Sequence, residues 1–246
     1  MKNKMKRIVA AAAGLVVAMA LTACSGLKSL DVVGQGSITS FEEVLKTIPD
    51  QVQADETNVG WALSAPDDSV RFIWSEDYSN APLHDVMLEF DAQPFLDAGL
   101  DPEKLPDNYA FYEGDRMGST GGKMLMVGTK LGSDKFTYNG SPTAVTAYEQ
   151  IVNNYRGSIN FHTSLDHYGV KLGDGNMFEW AKDMETNGYD HSDQDKDIVF
   201  VLNPQPLIEA GINPEKIEGW TYAQVTVDEH GKEEQVWKLL KPFNLK

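Results

Sequence analysis

Asp193, Asp195 and Asp197 alternate along one stretch of this chain. Carboxylates at that spacing present oxygens to a hard cation such as calcium. A calcium loop of the helix-loop-helix kind needs glycine at its sixth residue, and counting from Asp193 that residue is Ile198, so this motif is not met. A solvated acidic loop entering a strand explains the same residues, and calcium is the one cofactor the sequence suggests. Just upstream, Trp180, Tyr189 and His191 are mixed with Asp174, Glu179 and Asp183, a composition suited to ligand contact on a loop. Phe178 and Trp180 can equally close the end of a hydrophobic core.

The remaining reactive groups form no catalytic pattern. Gly114 to Lys123 is glycine-rich, but Met117 stands where a phosphate loop needs its first glycine and Met124 follows Lys123 where Ser or Thr is required. Strands flank it on both sides, so it reads as a hairpin loop. The histidines are His84, His162, His167, His191 and His230, with neither a zinc-protease HExxH nor a GxSxG nucleophile elbow. His162, Asp166 and His167 fall at a hairpin tip, where turn chemistry accounts for them. No catalytic residue is assigned, and the expectation is a protein that is not an enzyme.

Cys24 is the single cysteine in 246 residues, and its position gives it meaning. Lys2, Lys4, Lys6 and Arg7 precede an apolar run from Ile8 to Leu21, a length that fits a signal-peptide core and is short for a membrane span. The run ends in Leu21-Thr22-Ala23-Cys24. This leader resembles that of bacterial lipoproteins, in which a leucine and two small residues precede an invariant cysteine. The resemblance implies diacylglycerol on the Cys24 thiol, acylation of the new N-terminus, cleavage before Cys24, and a location on the cell membrane facing away from the cytoplasm. It covers the leader alone.

Cleavage would remove four of the 21 basic residues and none of the 37 acids, taking the formal charge from −16 to −20. Such a body is repelled by nucleic acid and by anionic head groups, so the expected partners exclude nucleic acid and the lipid does the anchoring. Residues 24–37, with Gly26, Gly34 and Gly36 interleaved, read as a lipidated tether after a signal peptide at 1–23.

Two stretches organise the rest. Residues 85–105, DVMLEFDAQPFLDAGLDPEKL, and residues 197–217, DIVFVLNPQPLIEAGINPEKI, are identical at eight of 21 positions and 112 residues apart, which points to an internal duplication. Each predicts a strand, a cap at Asp91 or Asn203, a short helix, a glycine stop at Gly99 or Gly211, and a further turn capped by Asp101 or Asn213. Gln93, Glu103 and Lys104, repeated as Gln205, Glu215 and Lys216, are a candidate polar site, although capping and turn chemistry cover most of the pattern.

Helices are expected from Ser40 and over Thr143–Tyr155. A hairpin follows each, Trp61–Ser64 with Val70–Trp74 and Phe161–Ser164 with Val170–Leu172. Aligned in that way, the second copy carries a 12-residue insertion between Gly173 and Lys196. Two strands close each copy. The fold class is therefore α+β, two tandem repeats of about 100 residues at 38–140 and 141–246, each a mostly antiparallel sheet with one or two short helices. The expected function is a lipid-anchored, non-catalytic binding module for a small ligand, glycan or envelope protein. An envelope assembly factor, then an envelope hydrolase, are the alternatives.

Overall fold

The computed structural model describes residues 25–55, 60–75, 86–114, 122–129, 141–154, 159–162, 167–181, 198–229 and 232–243. Helix α1 (Ser25–Thr47) leads into strands β1 (Val52–Asp55), β2 (Gly60–Ser64), β3 (Val70–Ser75) and β4 (Val86–Asp91). A short helix α2 (Gln93–Asp97) then precedes β5 (Tyr109–Glu113) and β6 (Lys123–Thr129). The second half runs α3 (Ala144–Asn154), β7 (Ile159–His162), β8 (His167–Lys171), β9 (Met177–Ala181), β10 (Ile198–Leu202), α4 (Pro204–Glu209), β11 (Thr221–Glu229) and β12 (Lys232–Phe243).

Two antiparallel sheets result, with orders β1-β2-β3-β4-β6-β5 and β7-β8-β9-β10-β12-β11. Taken in chain order the two arrangements are the same. The class is α+β with strands dominant. Each sheet has six strands, one more than the sequence pattern predicts. Val52–Asp55 was passed over because four residues offer only two positions per face, too few for a visible period. Met177–Ala181 falls inside the expected insertion, which follows from the change of offset between the two aligned copies.

Register fixes which positions correspond. Phe72 lies opposite Leu88, and Phe178 opposite Phe200. Phe178 follows Phe72 by 106 residues, whereas Phe200 follows Leu88 by 112. The halves thus differ by six residues between the third and fourth strands, correcting the expected 12-residue insertion at 173–196. The hairpin β7–β8 corresponds to β1–β2, one strand earlier than the sequence alignment places it.

The sheets face one another across a shared core that also takes in α1 and α3. The fourth strands, β4 and β10, are central and buried on both faces. Helix α3 lies on β2 and β3 of the first sheet, while α1 lies on α3 and β7. Each long helix thus covers part of the other half's sheet.

The stretch expected as a tether is helical from Ser25. Ser37 is buried and its hydroxyl meets that of Tyr148 at 2.5 Å. A Cβ on Gly34 would stand 3.0 Å from Val152, and one on Gly36 would run into the Tyr168 hydroxyl. These glycines permit close helix packing rather than flexibility.

The two similar stretches, 85–105 and 197–217, fold as local chemistry dictates. Gly99 and Gly211 both take φ of +106°. Leu100 N–H then reaches back to Phe95 O (2.9 Å), and Ile212 N–H to Leu207 O (3.2 Å). Asp101 and Asn213 accept from Glu103 N and Glu215 N. Asn203 caps α4 through Gln205 N. The expected cap at Asp91 is not used, since Ala92 holds that place in helical conformation.

Candidate functional site

Inside the core, aromatic side chains from the two halves meet in pairs. Phe72 stacks on Phe178 with centroids 4.5 Å apart and planes 8° from parallel, and Phe41 lies 4.2 Å from Tyr148. Gly99 and Gly211 also abut, joined by hydrogen bonds from Asp101 N to Ala210 O (2.8 Å) and Asn213 N to Ala98 O (2.9 Å).

Trp74 donates its indole N–H to Ala144 O of the second half (3.0 Å), and Trp180 donates to Ser40 Oγ of the first (3.0 Å). Trp180, expected as a ligand contact, is therefore a fully buried core residue. Tyr189, His191, Asp193, Asp195 and Asp197 lie outside the described residues. Among the described residues, no group of three His, Cys, Asp or Glu could hold a metal ion.

Other sequence candidates resolve into local bonding. Gln93 donates to Asp97 and Gln205 to Glu209, each at 2.8 Å, as neighbours one helical turn apart. Lys104 pairs with Asp101 at 2.9 Å, which lowers the Asp101 pKa and raises that of Lys104. Gly114 N–H donates to Gly122 O (3.1 Å) at the end of the antiparallel β5–β6 pair, the hairpin expected there in place of a phosphate loop. His162 and His167 are cross-strand partners in the β7–β8 register.

The outer faces differ chemically. On the first sheet Arg71, 0% exposed, lies beside Glu89, 4% exposed, with Nε to Oε1 at 3.9 Å. Arg71 also reaches Asp68 (3.3 Å) and Gln53 (3.4 Å), and the Tyr112 hydroxyl donates to Glu89 Oε2. Ion pairing lets two charges sit in a sheet that otherwise buries Ile73, Met87 and Met126 on this face. The corresponding positions on the second sheet are Met177 and Val201, packed with Val199, Val225 and Leu240.

Polar contacts also bind the halves at their rims. Asp67 pairs with Lys241 at 3.3 Å, and Asn108 donates to Asp174 at 2.8 Å. Burial works against ionisation of Asp67, but hydrogen bonds from Ser69 and the charge of Lys241 outweigh it and lower its pKa. Lys241 lies over Trp220 and Phe243 at 5.8 and 5.7 Å. The Tyr109 hydroxyl points to Asn176 Oδ1 at 3.5 Å, and burial raises the pKa of both Tyr109 and Tyr148.

The closing hairpins diverge at the surface. In the first, Glu113 faces Lys123 across the strands and the two form an ion pair at 3.8 Å. At the same place in the second, Gln224 faces Trp237. Trp237 is 49% exposed, the one large exposed hydrophobic side chain among the described residues, and stacks on Tyr222 at 4.5 Å and 21°. The sequence reading passed over Trp237. Alternation puts it on the same face as the buried Leu239, and nothing in the strand's own residues shows that the core ends there.

No family model, curated protein or solved structure matches this chain. Among the described residues no helix is long and apolar enough to cross a membrane.

Proposed function

We propose that this chain is a lipid-anchored, extracytoplasmic, non-catalytic binding protein assembled from two copies of one α+β unit. The duplication is supported by like meeting like. Phe72 with Phe178, Phe41 with Tyr148 and Gly99 with Gly211 are each a residue touching its own counterpart. Such pairs arise where a twofold axis passes between two equivalent units. The anchor reading rests on the leader that ends at Cys24.

The binding reading rests on one observation. The halves keep matching side chains where they pack together, yet the second carries Trp237 on an exposed hairpin where the first has an ion pair. Burial explains the first pattern. Exposure of a large aromatic group is costly to solubility and marks contact surfaces.

Two experiments test the proposal. Cys24→Ala should leave an uncleaved precursor without acyl label; a variant that still runs at mature size in the detergent phase refutes the anchor. Thermal unfolding of the full chain against divalent cations, sugars and peptides should reveal one ligand class. A ligand at a hundred times its dissociation constant adds about 2.7 kcal/mol. That raises the midpoint by roughly 2–4 °C per kcal/mol. An unmoved midpoint across the panel, with no protein partner found by crosslinking in the envelope, removes the binding reading.

A further inference from the structure

We infer that the β11–β12 hairpin carries a binding face for a neutral oligosaccharide, with Trp237 as the stacking platform, Tyr222 behind it and Gln224 as the hydrogen-bonding amide. This rests on the binding-protein reading and adds a site and a ligand class to it. The geometry begins with strand length. β10 accompanies β12 only from Leu239 to Phe243, so the hairpin beyond Leu239 is a two-stranded ribbon. Its six pairs from Gln224 opposite Trp237 to Glu229 opposite Lys232 have no third strand beside them among the described residues. Tyr222 and Leu239 belong to the rim of the core, and Trp237, on the same face, is the next side chain outward.

The fold does not require an indole there. The matching place on the first sheet is filled by Glu113 and Lys123, an exposed ion pair of the kind that blunts an edge hairpin. The stack on Tyr222 holds the Trp237 ring in one orientation, so little side-chain freedom remains to be lost on binding. A fixed, half-exposed aromatic face attracts C–H groups bearing partial positive charge, because the ring quadrupole is negative over its face. A pyranose ring offers a flat array of such groups, and its hydroxyls need donors and acceptors at the rim. Gln224, exposed and directly across from Trp237, offers both from one amide.

Charge selects among sugars. The chain carries −16 overall. Uronates, sialosides and phosphorylated glycans are therefore disfavoured, and uncharged hexoses or N-acetylhexosamines favoured.

The test titrates the full chain, purified in detergent, with three hexasaccharides: α-1,4-linked glucose, β-1,4-linked glucose and β-1,4-linked N-acetylglucosamine. Calorimetry and indole emission are read together. At least one should bind, and Trp237→Ala should weaken it about tenfold or more, the equivalent of about 1.4 kcal/mol. Trp237→Phe should retain part of the affinity. Gln224→Ala, an exposed change that leaves the stack in place, should weaken binding about threefold to tenfold and covers the case in which Trp237→Ala fails to fold. Binding unchanged in both the Trp237 and Gln224 variants overturns the site. Failure of all three sugars overturns the ligand class; if another ligand raises the unfolding midpoint or crosslinking finds a protein partner, only this inference falls, and if neither happens, the binding reading falls with it.

Discussion

On the inner face, Phe72 and Trp74 of the first sheet occupy the places that Phe178 and Trp180 occupy in the second, and both tryptophans donate across to the opposite half. On the outer face, Arg71 and Glu89 stand where Met177 and Val201 stand. Mutual burial constrains the inner positions, because each side chain must fit one from the other half. An outer position needs only to be satisfied locally, and an ion pair and a pair of apolar groups are two workable solutions. Divergence is therefore cheap outside and expensive inside.

The sharpest test of inner equivalence is truncation. Trp74→Ala and Trp180→Ala should each destabilise by about 3–5 kcal/mol in urea unfolding, since both rings are fully buried. A large cost for one and a small cost for the other would break the symmetry argument. On the outer face, Arg71→Met alone should cost about 3–5 kcal/mol by stranding buried Glu89. Arg71→Met with Glu89→Val and Tyr112→Phe, which gives the first sheet the second sheet's solution, should recover most of that loss. If the triple variant is no better than the single one, the two outer faces are not interchangeable.

Smaller effects sharpen the axis. Gly99→Ala and Gly211→Ala should each cost about 1–3 kcal/mol, because both hold positive φ. A Cβ at either would also stand about 3 Å from the other's carbonyl oxygen (3.0 and 2.9 Å). Unequal losses would place the axis elsewhere. Alkaline pH probes the one polar group in the Phe41–Tyr148 pair. The folded pKa values of Tyr148 and Tyr109 are raised by burial, so their contribution is complete below about pH 10, where an unfolded tyrosine ionises. It is lost as pH rises beyond that point. Tyr148→Phe should cost about 1 kcal/mol at neutral pH, through the lost Ser37 bond, and flatten the decline above pH 10. An unchanged alkaline limb would assign that decline to other groups. Least affected should be Lys123→Ala, within about 1 kcal/mol, as its ion pair is exposed.

Much of the fold was legible wherever the rules are local. Gly99, Gly211, Asp101, Asn213 and Asn203 do what their types predict, because caps and stops are decided within a few residues. Asp91 does not hold the cap position because α2 begins one residue later than α4 does, at Gln93, which leaves Ala92 in that place. Two strands escape the sequence pattern, one too short to show a period and one inside the expected insertion, and that leaves Phe178 and Trp180 open between ligand contact and core. Both are 0% exposed. The candidate hairpin was missed for a different reason: whether Trp237 is covered depends on the end of β10, which β12's own residues do not encode.

The sequence by itself determined the basic and apolar stretch that runs to Cys24, the acidic balance, the likeness of two stretches and the chemistry of their turns, since each is a matter of composition or of contacts between near neighbours. Tertiary structure decided that the two sheets share one core, that each long helix covers the other half, and that Arg71 and Glu89 are buried together. It also decided that Trp237 is left in the open. Those outcomes depend on residues tens to more than a hundred positions apart meeting in space, and no local pattern states which of them will meet.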